Sequence, residues 1–585
     1  MDLVHNRILV EILNDYQHNN CNKHLNSDFK YQFPFINIKE PIPFEDVFIP
    51  FILYARQKLS NQLLISTYDT LSPKAHMNLE RNLLLKLSQI CSQTLALKFS
   101  IYREMRHPGI SRKIVAERKI GIEHDNANEL YSCFVNDLLN GGLLDILKEY
   151  NVLAKLFAII ISQWINNTAE LIKRLQSDYM LIQNYLNDGK LLGQVVVVQP
   201  NLSDPHQNGR TNVAISFSSG LKIIYKAKDL GLALAFQRLL FWINSSAFPL
   251  KLKECKIVNR NGYGWCEYIE YLPCENVAAV NRYYQRAGML LCLVYILNGT
   301  DCHFENIIAN GEYPVLIDHE TLAQPYKKII GNPGMNIRGQ AMVDNYHYFL
   351  SVMSTGMLPN NDQNSDKQQY DISGLGGSGG EGNGTMVLHW ENINTDKMVL
   401  VSKPFIIPKF KNIPFQRNHS FLPVRFRKEI KEGFKQMYLL MMARKELLIC
   451  PTGPLNNFYN QRVRYIHRPT RLYSKIQNIL LHPKYLHSDA NRNEYLEILN
   501  KSHKFNESSE MYRVIIEQEK RAFELLDIPI FYTNTNCKCL SIPDAKKNSN
   551  YFDEAGFDVV ISKIKNLSEI DLARQVDLIG NSFSL

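Results

Sequence analysis

At 585 residues the chain is longer than one hydrophobic core usually organises, so two to four structural units are expected. Its 45% apolar and 21% charged residues are ordinary for a soluble globular protein. The formal charge of +9 is mild for this length; it points to an anionic partner such as nucleotide, phosphopeptide or acidic peptide, and it gives little ground for nucleic acid.

Met1 to Asn20 is broken by Asn, Asp, His and Gln, which excludes a secretory signal there. The longest apolar runs, Leu156–Ile161 and Met289–Leu297, fall far short of the ~20 residues a membrane span needs, so an integral membrane protein is excluded and a cytoplasmic one expected. Eleven scattered cysteines read as reduced, buried residues. Cys537 and Cys539 have no nearby partners to complete a zinc set, and no zinc is expected.

In chain order, residues 1–190 read as a helical region. Asn78–Leu97 repeats Leu at helical spacing, and Leu144–Leu175 continues with long apolar faces that need a covering layer. Near Gly193 the pattern becomes short and β-branched. Val195–Val198, Asn212–Phe217 and Leu221–Lys228 are expected strands, with Ser218-Ser219-Gly220 turning between the last two. Asp229 is placed to cap a helix through Leu232, Leu239 and Trp242. Tyr283–Leu297 is a second apolar helix, stopped by Asn298-Gly299. A polar loop, Thr300–Asn306, leads into a small hairpin, Ile307–Ala309 and Pro314–Ile317. Asn360–Thr385, rich in Gly, Asn, Asp and Ser, is expected to be a mobile loop, and helices return from Arg425.

Asp301-Cys302-His303-Phe304-Glu305-Asn306, followed by Asp318-His319-Glu320, carries the clearest chemistry. Phosphoryl transfer from ATP needs acidic and amide oxygens for Mg²⁺ and a carboxylate to orient the attacking hydroxyl. A loop bearing Asp and Asn, then a hairpin delivering a second Asp, is how kinase-like folds supply them. Asn306 and Asp318 are natural metal ligands, Glu320 a further metal-side carboxylate, and Asp301 the hydroxyl-orienting base. A second group is Asp204-Pro205-His206 with Lys226, the strand lysine expected to meet nucleotide phosphates. The helix after it, Asp229–Asn244, holds no Glu, which counts against a regulatory protein kinase. A third is Arg464, His467, Arg468, Thr470 and Arg471. On a helix, Arg464, Arg468 and Arg471 would share one face, either solvated or holding phosphate.

Together, Ser203–Arg210 with Tyr225-Lys226, Thr300–Leu322 and Arg464–Tyr473 resemble the dehydratase domain of class II lanthipeptide synthetases of the LanM type. Weaker similarity runs through Pro43-Phe44-Glu45, Glu149–Ala154, Tyr263-Gly264-Trp265 and Asp527-Ile528-Pro529. The resemblance implies an α+β fold: a lipid-kinase-like, two-lobed core with helical additions. The expected parts are a helical region at 1–190, an N-lobe at 191–275, a C-lobe at 276–480 and a helical region at 481–585. It also implies an enzyme that uses ATP and Mg²⁺ to phosphorylate Ser/Thr of a leader-bearing precursor peptide, then eliminates phosphate to leave dehydroalanine or dehydrobutyrine.

By the same resemblance Asp301, His303, Asn306, Asp318 and Glu320 serve phosphorylation. Asp204, His206, Lys226, Arg464 and Thr470 line the same pocket, Arg464 and Thr470 acting mainly in elimination and Lys226 contacting phosphate. His206 and His303 are both candidates for the proton-abstracting base. The chain departs from the family's Asp-Leu-Glu-Thr-Leu at His319, and no Cys/His zinc set follows Leu567–Gln575. Dehydration without ring formation is therefore expected, with a separate cyclase as a partner. Two rivals stay open. One is a phosphotransferase without elimination, and the other is a non-catalytic scaffold that binds a leader peptide.

Overall fold

Long helices come first because the sequence marks their ends and their buried stripes. The computed structural model describes residues 9–13, 33–119, 127–246, 249–327, 349–359, 371–376, 380–407, 410–501, 510–542 and 550–583. The first long helices are α1 (Glu45–Asn61), α2 (Pro73–Arg106) and α3 (Asn151–Leu186). α2 starts at Pro73, where a missing N–H costs nothing, and Ser72 Oγ accepts the Ala75 N–H at 3.3 Å. Leu79, Leu83 and Leu87 are buried at four-residue spacing. Trp164 Nε1 of α3 donates to the Leu79 carbonyl at 2.8 Å, and Phe51 of α1 meets Phe157 of α3 edge-on, with centroids 4.6 Å apart.

The exposed side of that layer is covered by an antiparallel sheet of order β1-β2-β3-β5-β4, made of β1 (Val195–Gln199), β2 (Val213–Phe217), β3 (Lys222–Lys226), β4 (Ile257–Arg260) and β5 (Tyr263–Glu267). The period of two sets what each face does. Val195, Val198, Ile215, Phe217, Ile223, Tyr225 and Trp265 join the same core as α1–α3. Lys226, the neighbour of Tyr225, is thereby turned to the other face. Asp178 of α3 ties helix to sheet by accepting from Tyr263 Oη and Trp265 Nε1, each at 2.9 Å.

A second core gathers α4 (Gly231–Asn244), α5 (Val277–Ile296), the hairpin β6 (Ile307–Asn310) and β7 (Tyr313–Leu316), and later α6 (Arg427–Ala443). Asp229 Oδ1 accepts the Gly231 N–H at 2.8 Å and so helps start α4. Asn276 caps α5 by accepting from Ala279 N at 2.9 Å. α5 and α6 cross with their backbones nearly in contact at two glycines: a Cβ on Gly288 would lie 2.0 Å from the Ile430 carbonyl oxygen, and one on Gly433 1.8 Å from that of Gln285. Among the described residues no helix is long and apolar enough to cross a membrane, and the described cysteines are unpaired.

Two expectations need correction. The run from Arg464 to Arg471 is not one helix. Arg464 lies on β10 (Arg462–Tyr465), paired antiparallel with β11 (Phe531–Asn534), and the following helix, α7 (Thr470–Leu480), starts only after Pro469. Val463 and Tyr465 alternate with the arginines, and proline disfavours helical backbone before it. Arg464, Arg468 and Arg471 therefore share no face. Arg468 is buried, and its Nε bonds Glu519 Oε1 at 2.6 Å inside the C-terminal helices. The loop expected at 360–385 is also shorter in the structure, because β8 (Gly380–Glu391) is a strand paired with β9 (Val399–Ile407). Its residues 360–370 and 377–379 lie outside the described residues.

Candidate active site

The loop after α5 is fixed by backbone contacts. Asp301 takes a left-handed conformation (φ 59), and the next residue, Cys302, donates its N–H to the Thr355 carbonyl at 3.0 Å. Phe304 N–H reaches the Ile372 carbonyl at 3.1 Å, and His303 bridges Ser373. Asn306 Nδ2 donates to the Asp301 carbonyl at 2.7 Å, which leaves the amide oxygen as its acceptor. At the base of the hairpin Ile317 N–H donates to the Asn306 carbonyl at 2.9 Å. The turn chemistry thus sets Asn306 and Asp318 at the same end of β6 and β7.

From the sheet side comes Lys228, a residue that sequence reasoning missed. Its Nζ lies 3.1 and 3.2 Å from the two Asp318 oxygens and 2.8 Å from Glu320 Oε2. Arg464 Nη1 holds the other oxygen, Glu320 Oε1, at 2.6 Å, and the Arg464 backbone N–H donates to the Glu320 carbonyl at 2.8 Å. Lys226 turns its Nζ to the Ile317 carbonyl at 2.6 Å. Burial works against ionisation of Asp318, yet Lys228, Lys226 and Arg464 together hold its carboxyl well below the usual range. Glu320 is likewise lowered: burial and Asp318 oppose ionisation, and Lys228 and Arg464 prevail. Burial raises Asp301 despite His303 and Arg464, which makes it a stronger proton acceptor than an exposed Asp.

Asp204 and His206 arrive on a loop anchored from the far end of the sequence. Asn208 and Gly209, both with positive φ, donate their N–H groups to the Asp527 carboxylate at 2.6 and 2.7 Å. Ile528 N–H donates to the Pro205 carbonyl at 2.8 Å. Burial raises Asp204, against the pull of Arg464 and His303. His206 Nδ1 meets the Ile528 carbonyl at 2.7 Å, and a carbonyl can only accept, so Nδ1 carries the proton and Nε2 keeps its lone pair. Burial, then the Arg464 charge, push His206 down to about 4, so the ring is neutral at neutral pH. His303 is the reverse tautomer when neutral: its Nδ1 accepts the Glu305 N–H at 3.3 Å, leaving the proton on Nε2.

Asp204, His206, Lys226, Asp301, His303, Asp318, Glu320 and Arg464 are thus linked in one electrostatic network, from five separate stretches of chain. Thr470 opens α7, and its carbonyl accepts from Ser474 Oγ at 3.2 Å. His319, the departure from the family pattern, is buried against Phe236 with centroids 4.9 Å apart. Burial, then Lys226, hold it neutral at about 3, so the imidazole fills the space of an apolar side chain. Among the described residues no three His, Cys, Asp or Glu side chains converge as a metal cage. The pair Asp318 and Glu320 with the Asn306 amide oxygen is nevertheless a donor set that suits Mg²⁺, an ion that keeps several positions for phosphate and water.

Residues 150–534 match the family described as a domain of unknown function (DUF4135), a span that takes in every site residue named above. The chain is 26% identical over 542 residues to the "Lacticin 481/lactococcin biosynthesis protein LcnDR2" of Lactococcus lactis subsp. lactis, covering 88% of this chain and 54% of that protein. It therefore spans about half the length of the curated relative it matches. With the family match covering most of its length, and the matched stretch carrying the clustered residues, the chain belongs to the DUF4135 family.

Proposed function

We propose that this chain dehydrates Ser and Thr residues of a precursor peptide in lanthipeptide biosynthesis, first phosphorylating the hydroxyl from ATP and then eliminating the phosphate. The observation that carries this reading is the 2.6 Å bond between Arg464 and Glu320. It joins the arginine suited to a departing phosphate to the carboxylates suited to a metal–nucleotide complex, so both steps fall in one site. The similarity to a lacticin 481/lactococcin biosynthesis protein supports the substrate class.

In the kinase-like reading, Asn306, Asp318 and Glu320 would hold Mg²⁺, which would supply neutralisation of the nucleotide phosphate charge. Asp301 takes the proton as the substrate oxygen attacks the γ-phosphorus and ADP leaves. In the second step the Nε2 lone pair of His206 removes the Cα proton, the Cβ–O bond breaks, and the phosphate leaves with the electron pair towards Arg464 and Lys226. Thr470, at the helix start beyond β10, adds a hydroxyl donor for the leaving oxygens. The proton on His303 Nε2 suits a donor rather than a base. A phosphate beside Arg464 also offsets the charge that depresses His206, so the imidazole becomes more basic when the phosphopeptide is in place.

The test is a mass time course of a Ser/Thr-bearing precursor peptide with the purified chain, ATP and Mg²⁺. The expected result is a transient gain of about 80 Da followed by a net loss of about 18 Da per modified residue. A stable phosphopeptide with no later loss would instead favour a phosphotransferase, and no ATP-dependent change with any precursor would favour a binding scaffold.

A further inference from the structure

Lys228 has no part in the steps above, yet it is the side chain that contacts both carboxylates, Asp318 and Glu320. Its ammonium touches three of their four oxygens at 2.8–3.2 Å, and Arg464 takes the fourth. Lys228 and Arg464 thus occupy all four oxygens of the two carboxylates. Lys226 does not share this position, since its Nζ is bonded to the Ile317 carbonyl. Lys228 lies just beyond the end of β3, on a long side chain that is 19% exposed.

From this geometry, and resting on the reading of Asp318 and Glu320 as metal-side carboxylates, we infer that Lys228 is an exchangeable counter-ion: it holds the pair while the metal is absent and passes to the nucleotide phosphates when a divalent cation enters. Mg²⁺ binds carboxylate oxygens at roughly 2.0–2.1 Å. An ammonium bonded to the same oxygens would lie within a few ångströms of it, and the two cations repel strongly in a buried site. The ammonium must therefore move. The group of opposite charge that arrives with the metal is the nucleotide phosphate chain. The exchange makes metal and nucleotide binding mutually supportive: the metal frees Lys228 for phosphate, and phosphate stabilises the displaced Lys228.

The experiment measures Mn²⁺ affinity of the full chain by counting free Mn²⁺ with electron paramagnetic resonance, and separately the affinity for a β,γ-imido analogue of ATP at saturating Mn²⁺. Wild type is compared with Lys228→Met, with Lys228→Gln as a polar, uncharged second variant and Lys228→Arg as the charge-conserving one. In Lys228→Met and Lys228→Gln, Mn²⁺ alone is expected to bind about tenfold more tightly while the analogue binds about tenfold more weakly. Lys228→Arg is expected to stay near wild type in both. Opposite shifts are a signature that a merely structural strut cannot give. If both affinities fall, or Mn²⁺ affinity is unchanged in the neutral variants, the exchange is refuted. If wild type binds Mn²⁺ but no nucleotide analogue, the proposed ATP-dependent function fails, and the Mn²⁺ comparison still decides whether Lys228 competes with the metal.

Discussion

Asp318→Asn is expected to lose phosphorylation and, with it, dehydration, by on the order of a thousandfold, or about 4 kcal/mol of barrier. Two effects add. The amide lacks the full negative charge that a divalent cation needs, and its NH₂ group faces the Lys228 ammonium, which the carboxylate met at 3.1 and 3.2 Å. One contact becomes donor against donor, so the pair with Glu320 is disturbed as well. Intact-mass analysis of a precursor peptide with ATP and Mg²⁺ reads the result, with circular dichroism to establish folding. Near-normal dehydration by a folded variant would remove Asp318 from the metal site.

Arg464→Ala is expected to separate the two steps. Phosphorylation persists, because Asn306, Asp318 and Glu320, the groups read as holding the metal, are themselves unchanged. Elimination slows about a hundredfold, on the order of 3 kcal/mol, because the guanidinium that stabilises developing phosphate charge is missing. A species heavier by about 80 Da should therefore accumulate where wild type proceeds to the lighter product. If the folded variant yields neither species, Arg464 serves the phosphorylation step or substrate binding. Dehydration at the wild-type rate would make Arg464 a structural partner of Glu320 only.

Much of the site was legible in sequence because its chemistry is local. Asp301–Asn306 and Asp318–Glu320 sit on a loop and a hairpin whose turn residues, Asn298-Gly299 and Asn310-Gly311, announce them, and the structure places them accordingly. The strands β1–β3 were legible for a similar reason, since alternation over five residues is a local signal. What was not legible depends on distant partners. Arg464 becomes a strand residue by pairing with Tyr532, far along the chain, while its immediate neighbours, read as a basic run, suggest a helix. Arg468 looked like part of a phosphate-holding surface, and only the buried Glu519 makes it structural. A lysine two residues after Lys226 reads as a solvated strand end; its burial comes from a hairpin 90 residues away. The alternation that put Lys226 on the site face could have extended to Lys228. Asp527 belonged to a stretch of weak family similarity, but its anchoring role was not legible, because its partners at 208 and 209 lie more than 300 residues earlier in the chain.

In the function proposed, this chain itself expels phosphate from a phosphorylated residue in the site that installs it. The most direct measurement supplies a synthetic precursor peptide already carrying phosphoserine, with Mg²⁺ and ADP but no ATP, to the wild-type chain and to Arg464→Ala. Wild type is expected to convert the peptide with a loss of about 98 Da, that of phosphoric acid, while Arg464→Ala leaves it largely phosphorylated. A phosphopeptide that survives the wild-type chain unchanged would contradict it.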